Sequence, residues 1–403
     1  VWKLAIRNVM RHRARTAMTL LAIVAGVVGL VLSGGFVHDI FQQLGETLIH
    51  SQTGHLQISR SGYTERGSRS PEKFLIDKAA EAKAHISADP EVTDVMGRLY
   101  FTGLLNNGRT DRPVIGEGVE PEPEARLGTG LRLVSGRPLG GKDIHAAMIG
   151  IGLARALKLE PGHQVTMVAN TADGALNSIE IEIVGVFQTF SKDYDARAVR
   201  MPLAAAQELM NTQGINTLVV ALHRTENTAP AAARLTGLLA PAGLEVKTWI
   251  ELNDFYAKTV DMYDAQFGVL RIIILIMVLL SVANSVNMST FERIGEFGTM
   301  RAMGNRNRDI LQLVIAENAI LGLVGAVTGT LMGIALALAI SEVGISMPPP
   351  PNSDLGYEAH ILVVPSVVAG AFLVGLMATI LAALLPAWRL SRIPVVDALR
   401  QNI

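Results

Sequence analysis

The chain has 403 residues, 49% of them hydrophobic, with a mean hydropathy of +0.34. Its 35 basic and 36 acidic residues leave a net charge of −1, so the overall balance carries no sign of nucleic-acid binding. The absence of cysteine excludes a disulfide framework, a thiolate metal site and a cysteine nucleophile.

Residues 1–15 hold Lys3, Arg7, Arg11, Arg13 and Arg15 and no acid. Trp2, Ala5, Ile6, Val9 and Met10 share one helical face. The segment therefore reads as an interfacial amphipathic helix, or as a basic flank that fixes topology. A first transmembrane helix is expected at 16–37, a run without Asp, Glu, Lys or Arg. It is longer than the apolar core of a cleavable signal peptide. A helical stripe continues through Val37, Ile40, Phe41, Leu44 and Leu48. A matching one (Leu252, Phe255, Thr259, Met262, Tyr263, Phe267, Leu270) precedes the second span. The two stripes would pair as a stalk, or pack beneath an outer domain.

Residues 38–270 read as that outer domain, of mixed α/β pattern. Strands are expected at Gly54–Ser59, Gly97–Leu105, Arg112–Val119, Gln164–Val168, Ile179–Phe187 and Thr217–Leu222. Helices are expected at Pro71–Ile86, Gly150–Leu157, Leu203–Asn211 and Ala229–Leu239. Residues 110–185 are richer in strands, Gly and Pro and suggest an inserted β-rich subdomain. Within them GRPLGGKD (Gly136–Asp143) follows a phosphate-loop pattern for seven residues. At the eighth, Asp143 replaces the hydroxyl that would hold Mg²⁺, and its charge opposes phosphate.

A second transmembrane helix is expected at 272–290. Its Asn284 and Asn287, polar in hydrocarbon, are expected to hydrogen-bond to another span, with a transport role as the alternative. The loop 292–312 carries Arg293, Arg301, Arg306 and Arg308. Its pattern is a short helix followed by a turn at Gly304, which suits docking of a cytoplasmic partner. The third span, 318–341, carries Gly325, Gly329 and Gly333. This small-residue spacing admits close helix contact, within the chain or with a second subunit. The loop 342–360 contains Pro348–Pro351, a stiff connection. A fourth span at 361–388 leads to a tail, 389–403, with Arg389, Arg392 and Arg400. Basic residues flank the same side of every span, so both termini are expected in the cytoplasm and residues 38–270 outside. The fold class expected is thus an α-helical four-span transmembrane domain plus an extracytoplasmic mixed α/β domain on a helical stalk.

No zinc-type histidine pair, no GxSxG elbow and no distinctive carboxylate pair occurs in the sequence. No catalytic, cofactor or metal site is assigned to this chain.

One ordered set of segments goes further. Arg293, Glu296-Phe297-Gly298, Arg301-Ala302-Met303-Gly304, Ile310 and Glu317 resemble the signature of the FtsX-like permeases, the type VII ABC transporter permeases. Phe297 replaces the usual Ile. Leu4–Ile23 is similar to the family's amino-terminal segment, and Met148–Met167 to a strip of the MacB-like periplasmic core domain. Pro386–Arg400 is similar to the family's carboxy-terminal motif. Val184–Met210 and Thr248–Asn253 look most like the lipoprotein-releasing permeases.

The resemblance implies a permease that works as a dimer, with an identical copy or a paralogue. It implies a separate cytoplasmic ABC ATPase that binds the ATP and Mg²⁺. Docking to that ATPase falls on Arg293, Glu296, Arg301 and Gly304. It implies a bacterial inner membrane location and transmission of ATPase closure through the stalk to the outer domain. The substrate class implied is lipid-linked or amphipathic, a lipoprotein first, with contacts to membrane lipid and to a periplasmic adaptor or lipoprotein carrier. The alternatives are a tripartite efflux pump for small molecules or peptides, and transport-free signalling to a cell-wall hydrolase.

Overall fold

The structure is a computed structural model that describes residues 2–11, 13–67, 70–127, 131–189, 191–348 and 356–391. Pro349–Pro351 and residues 392–403, including Arg392 and Arg400 of the expected tail, lie outside the described residues. The chain forms two compact units. One comprises Val1–Gln42, Val260–Met347 and Glu358–Ile403; the other comprises Gln43–Thr259 and Pro348–Tyr357.

In chain order, α1 (Trp2–Arg11) and α2 (Arg13–Leu48) lead into a π-turn at Ile49–Thr53. Next come β1 (Leu56–Arg60), α3 (Tyr63–Arg66), α4 (Ala79–Ser87), β2 (Val92–Asn106), β3 (Asp111–Val119) and α5 (Pro121–Leu127). They are followed by β4 (Arg132–Gly136), β5 (Ala146–Gly150), α6 (Ile151–Leu157), β6 (Gln164–Asn170), β7 (Leu176–Gln188), α7 (Lys192–Asp195) and β8 (Ala198–Pro202). Then come α8 (Leu203–Met210), β9 (Thr217–Leu222), α9 (Thr228–Leu239), β10 (Leu244–Thr248) and α10 (Trp249–Leu252). The chain continues with α11 (Asp254–Glu292), α12 (Ile294–Ala302), α13 (Asn307–Val343), the short strands β11 (Ile345–Met347) and β12 (Tyr357–Ala359), and α14 (Pro365–Ser391).

Four helices, α2, α11, α13 and α14, are long and apolar enough to cross a membrane. Both α2 and α11 outrun their apolar cores, and Phe41 meets Tyr263 edge-on at 5.8 Å beyond them. Glycines set how closely these helices approach. A Cβ on Gly325 would lie 2.8 Å from Ile23, one on Gly329 would lie 2.9 Å from Val27, and one on Gly333 would lie 3.1 Å from Val31. The stripe on α13 therefore packs on α2 of the same chain. Gly329→Leu should lower the unfolding midpoint of the solubilised chain, by about 1–3 kcal/mol of overpacking. Gly268→Leu, where a Cβ meets nothing within 4 Å, should leave it unchanged. Equal midpoints for the two variants would refute the close contact.

The two asparagines fall elsewhere than expected. The face of α11 toward α2 carries Val278, packed on Gly26, and Ser285, whose hydroxyl is 2.5 Å from that of Thr19. Asn284 is exposed. Neither Asn284 nor Asn287 bonds to another span among the described residues. The helical repeat explains this: positions 278, 282, 285 and 289 share a face, and 284 and 287 lie off it.

The α/β unit contains one ten-stranded sheet, ordered β10-β1-β9-β2-β3-β8-β5-β7-β4, with β6 pairing both β2 and β7. Tracing the pairs β2–β3, β3–β8, β8–β5, β5–β7, β7–β6 and β6–β2 returns to the starting strand, so six strands close into a ring. Leu99, Phe101, Met167, Ile181, Val199 and Met201 form the buried core of that region. A second core gathers Ile58, Ile86, Val95, Leu218, Val220 and Leu235 under α4 and α9. The expected insertion at 110–185 is therefore not a separate sheet. The 15-residue β2 serves both cores: Val92–Arg98 pairs with β9 and Gly103–Asn106 with β6. The expected helix at Pro71–Ile86 is also shorter. Only Pro71–Lys73 makes a 3-10 turn, and α4 starts at Ala79. Between them Ile76 bridges Ile215, and that pairing holds the backbone extended and buries the side chain.

His55 lies in this unit between the π-turn and β1. Its Nδ1 accepts from the Leu222 amide at 3.1 Å. Its Nε2 faces the Thr225 hydroxyl at 3.2 Å, and that hydroxyl donates to Glu46 at 2.7 Å. Burial, aided by His50, pushes the imidazole down from 6.5 to about 4. Between these two values the unfolded chain binds a proton that the folded chain refuses. The stabilisation is therefore full above pH 6.5 and is lost as pH falls toward 4. Melting midpoints should drop over that window, and His55→Gln should flatten the drop. An unchanged slope in the variant would refute the assignment.

Candidate functional site

The segment after α11 is built around one buried arginine. Arg293 is the residue preceding α12, and its side chain is 7% exposed. Its Nη1 and Nη2 donate to the two oxygens of Glu317 on α13 at 2.8 and 3.2 Å. Its Nε donates to Glu296 at 3.0 Å, and its guanidinium sits 4.9 Å from the Phe297 ring centre. A two-pronged guanidinium–carboxylate pair is geometrically specific, and it offsets the cost of burying each charge only while both are present.

The same carboxylate ties down α1. Asn8 donates to Glu317 at 2.6 Å, and Arg11 lies 3.6 Å from Glu296. Ala5, which the sequence places on a lipid-directed face, is fully buried in the cluster that holds Ile294, Phe297, Ile310 and Val314. Beside the pair is a polar cavity of about 50 Å³, lined by Asn8, Thr19, Ser285, Arg293, Glu317 and Asn318. That is room for a few waters with several polar partners.

α12 is thus pinned from below and open above. Ile294 and Phe297 anchor it, while Glu296 is half-exposed and Met303 is 73% exposed. The turn that ends α12 needs glycine: Gly304 has φ +98°, and its amide bonds to the Arg301 carbonyl at 3.0 Å. Residues 302–309 are all exposed, Arg306 and Arg308 among them. Asp309 accepts from the Arg306 amide at 2.8 Å and starts α13.

Four residues expected at a docking surface therefore separate into two kinds. Glu296 and Gly304 face outward, and Arg301 is half-buried. Arg293 turns inward, because its charge has a carboxylate partner 24 positions later in the chain. Sequence reading missed Glu317 as its partner and Met303 as an exposed apolar contact. The signals available were an acid at the start of an apolar span and a methionine beside a turn glycine.

The glycine-rich Gly136–Asp143 segment closes on itself. Asp143 accepts from the Gly140 amide at 2.7 Å and from both Arg137 nitrogens at 2.7 and 2.8 Å. Arg137 holds this carboxyl below the usual range. No group of three or more His, Asp or Glu that could hold a metal occurs among the described residues.

A second built arrangement lies in the α/β unit. Arg98 on β2, Glu117 on β3, Glu124 on α5 and Arg200 on β8 are all buried, two charges of each sign. Arg98 bonds Glu124 through Nη2, and through Nε at 3.2 Å. Arg200 lies 3.0 Å from Glu117 and 3.3 Å from Glu124. Tyr194 donates to Glu117 at 2.7 Å. The remaining donors reach the π-turn after α2: Arg200 Nη2 bonds the Ser51 carbonyl at 3.0 Å, and Arg98 bonds that of Gln52.

The comparisons agree with this layout. The MacB-like periplasmic core domain matches residues 16–238, more than half of the chain, and the FtsX-like permease C-terminal region matches 268–395. The chain belongs to the FtsX-like, MacB-like ABC transporter permeases. An uncharacterized ABC transporter permease of Methanocaldococcus jannaschii is 23% identical to it over 85% of each chain. The macrolide export ATP-binding/permease protein MacB of Rhodopseudomonas palustris is 23% identical over 84% of this permease, which spans 52% of that relative. The lipoprotein-releasing system transmembrane protein LolE of Haemophilus influenzae is 20% identical over 78% of this permease and 74% of its own length. The permease is a multi-pass membrane protein, with the mixed α/β unit between its first two membrane-length helices.

Proposed function

We propose that the chain is the permease subunit of an ATP-driven exporter that moves a lipid-linked or amphipathic substrate, with a lipoprotein as the favoured cargo. The observation that carries this reading is the exposed α12 and its turn, welded to α13 and α1 by the Arg293–Glu317 pair. A force applied at Glu296, Arg301, Met303 and Gly304 is passed to the membrane helix α13 and to α1 rather than lost in a loose loop. The force would come from a separate cytoplasmic ABC ATPase, which holds the ATP and Mg²⁺. In this reading the loop and both termini are cytoplasmic and the α/β unit is outside, which the arginines of 292–312 support through the positive-inside rule. A second permease, identical or paralogous, completes the assembly.

The test is purification of the chain from its native membrane, with ATPase assays on whatever co-purifies and mass spectrometry of bound lipoprotein. The variant Glu296→Lys with Arg301→Glu should keep membrane insertion while ATPase recruitment falls at least tenfold. Unchanged recruitment would reduce the loop to a topology signal. The macrolide exporters among the relatives favour a second reading, a tripartite efflux permease with a periplasmic adaptor. Capture of an adaptor with no lipoprotein would select it.

A further inference from the structure

The membrane unit contains a crevice away from the Arg293 network. It has a volume of about 340 Å³ and is lined by Leu30 of α2, Arg271 of α11, and Ser366, Val367, Gly370 and Val374 of α14. This volume is within the range of small-molecule pockets, about 300–1,000 Å³. All of the walls are apolar except Arg271 and Ser366.

Arg271 is the last charged residue before the apolar run 272–290, at the end of that run opposite Glu292. It makes no hydrogen bond or ion pair among the described residues. The nearest acid before it on α11, Asp264, is two helical turns back, about 10 Å by helical rise. No acid occurs anywhere in α14. A guanidinium at the edge of a hydrocarbon layer is costly unless it meets an anion or reaches the headgroup level.

Gly370 supplies the second argument. Several glycines of the bundle sit where helices touch: a Cβ on Gly34 would lie 2.5 Å from Val367, and one on Gly375 would lie 2.5 Å from Val27, whereas Gly29 and Gly268 face open space. A Cβ on Gly370 would meet nothing within 4 Å. Glycine inside a helix costs about 1 kcal/mol relative to alanine. Here no packing of the chain on itself accounts for it, and its effect is to leave the crevice open.

The geometry points to a seat for one membrane glycerophospholipid, its phosphate on Arg271 and one acyl chain along Leu30, Val367, Gly370 and Val374. Guanidinium and phosphate match in charge and in two-pronged geometry. Ser366 adds a hydroxyl donor at the same crevice. A second copy of the chain would bring further apolar helix but, from α14, no carboxylate for Arg271. This site does not depend on the cargo or on the ATPase, so its test is separate from that of the proposed function.

The experiment titrates delipidated full-length chain in detergent with dioctanoyl-phosphatidylglycerol, read by native mass spectrometry and calorimetry. Saturable binding of one lipid per chain is expected. Arg271→Gln should weaken it at least tenfold, the scale of one charge-assisted hydrogen bond. Dioctanoylglycerol, which lacks the phosphate, should be weaker by a similar factor. Gly370→Leu should fill the crevice and abolish binding without lowering the lipid-free melting midpoint. Equal binding by wild type, Arg271→Gln and Gly370→Leu would overturn the proposal. So would saturable binding of inorganic phosphate alone, or a Gly370→Leu variant that changes the oligomeric state while lipid binding persists.

Discussion

Glu124→Ala is expected to destabilise the α/β unit by about 3–5 kcal/mol, the usual cost of removing one partner from a buried ion pair. Arg98 and Arg200 share Glu124, and their side chains are 1% and 2% exposed. Without it, two buried guanidinium groups face the single carboxylate of Glu117. Neither can turn to water without leaving the carbonyls of Ser51 and Gln52, so the π-turn after α2 loses its hold as well. The full-length chain in detergent, unfolded by heat or denaturant, reports the loss. Glu122→Ala, an exposed position on the same short helix, is the control and should stay within about 0.5 kcal/mol. The cluster would have no structural weight if both variants melted together.

The second large effect concerns Arg293 and Glu317. Arg293→Ala leaves a carboxylate 11% exposed beside Asn8 and the bundle core, and Glu317→Ala leaves a guanidinium 7% exposed. Each single change should cost about 3–5 kcal/mol. The double variant removes both charges, so its cost should fall short of the sum by up to about 3 kcal/mol, the coupling of neighbours in one network. Melting of the solubilised chain and ATPase recruitment are read together. If Arg293→Ala left the melt untouched and reduced recruitment alone, Arg293 would be a docking contact and the inward pair unimportant.

Much of the architecture was readable from run lengths and periods. The four spans follow from charge-free apolar stretches and Thr217–Leu222 from its β-branched run, and the strand expected at Arg112–Val119 is Asp111–Val119 in the structure. Two of the strands that escaped have a physical reason. Ala146–Gly150 and Ala198–Pro202 are buried along their whole length, so they show no alternation, and Arg200 disguises the second as surface. The closed ring was hidden because it depends on β2 pairing with β6, and β3 with β8, across long stretches of sequence. At the site, the position of the loop, its short helix and its turn glycine were legible. The direction of each charge was not. Local pattern says that Arg293 is basic, but only the fold brings Glu317 to it. For the same reason Asn284 looked like a bridge between spans, whereas the neighbouring Ser285 is the residue that faces α2.

The long strand β2 has a further consequence. Each half lies in a different core, yet both belong to one strand, paired with β9 up to Arg98 and with β3 from Arg98 to Asn106. Opening either core strips hydrogen bonds from the strand on which the other is built. The two lobes of the α/β unit are therefore one cooperative unfolding unit and not a host with a detachable guest. In the proposed transport cycle, a push that arrives at one lobe would then move the other as well.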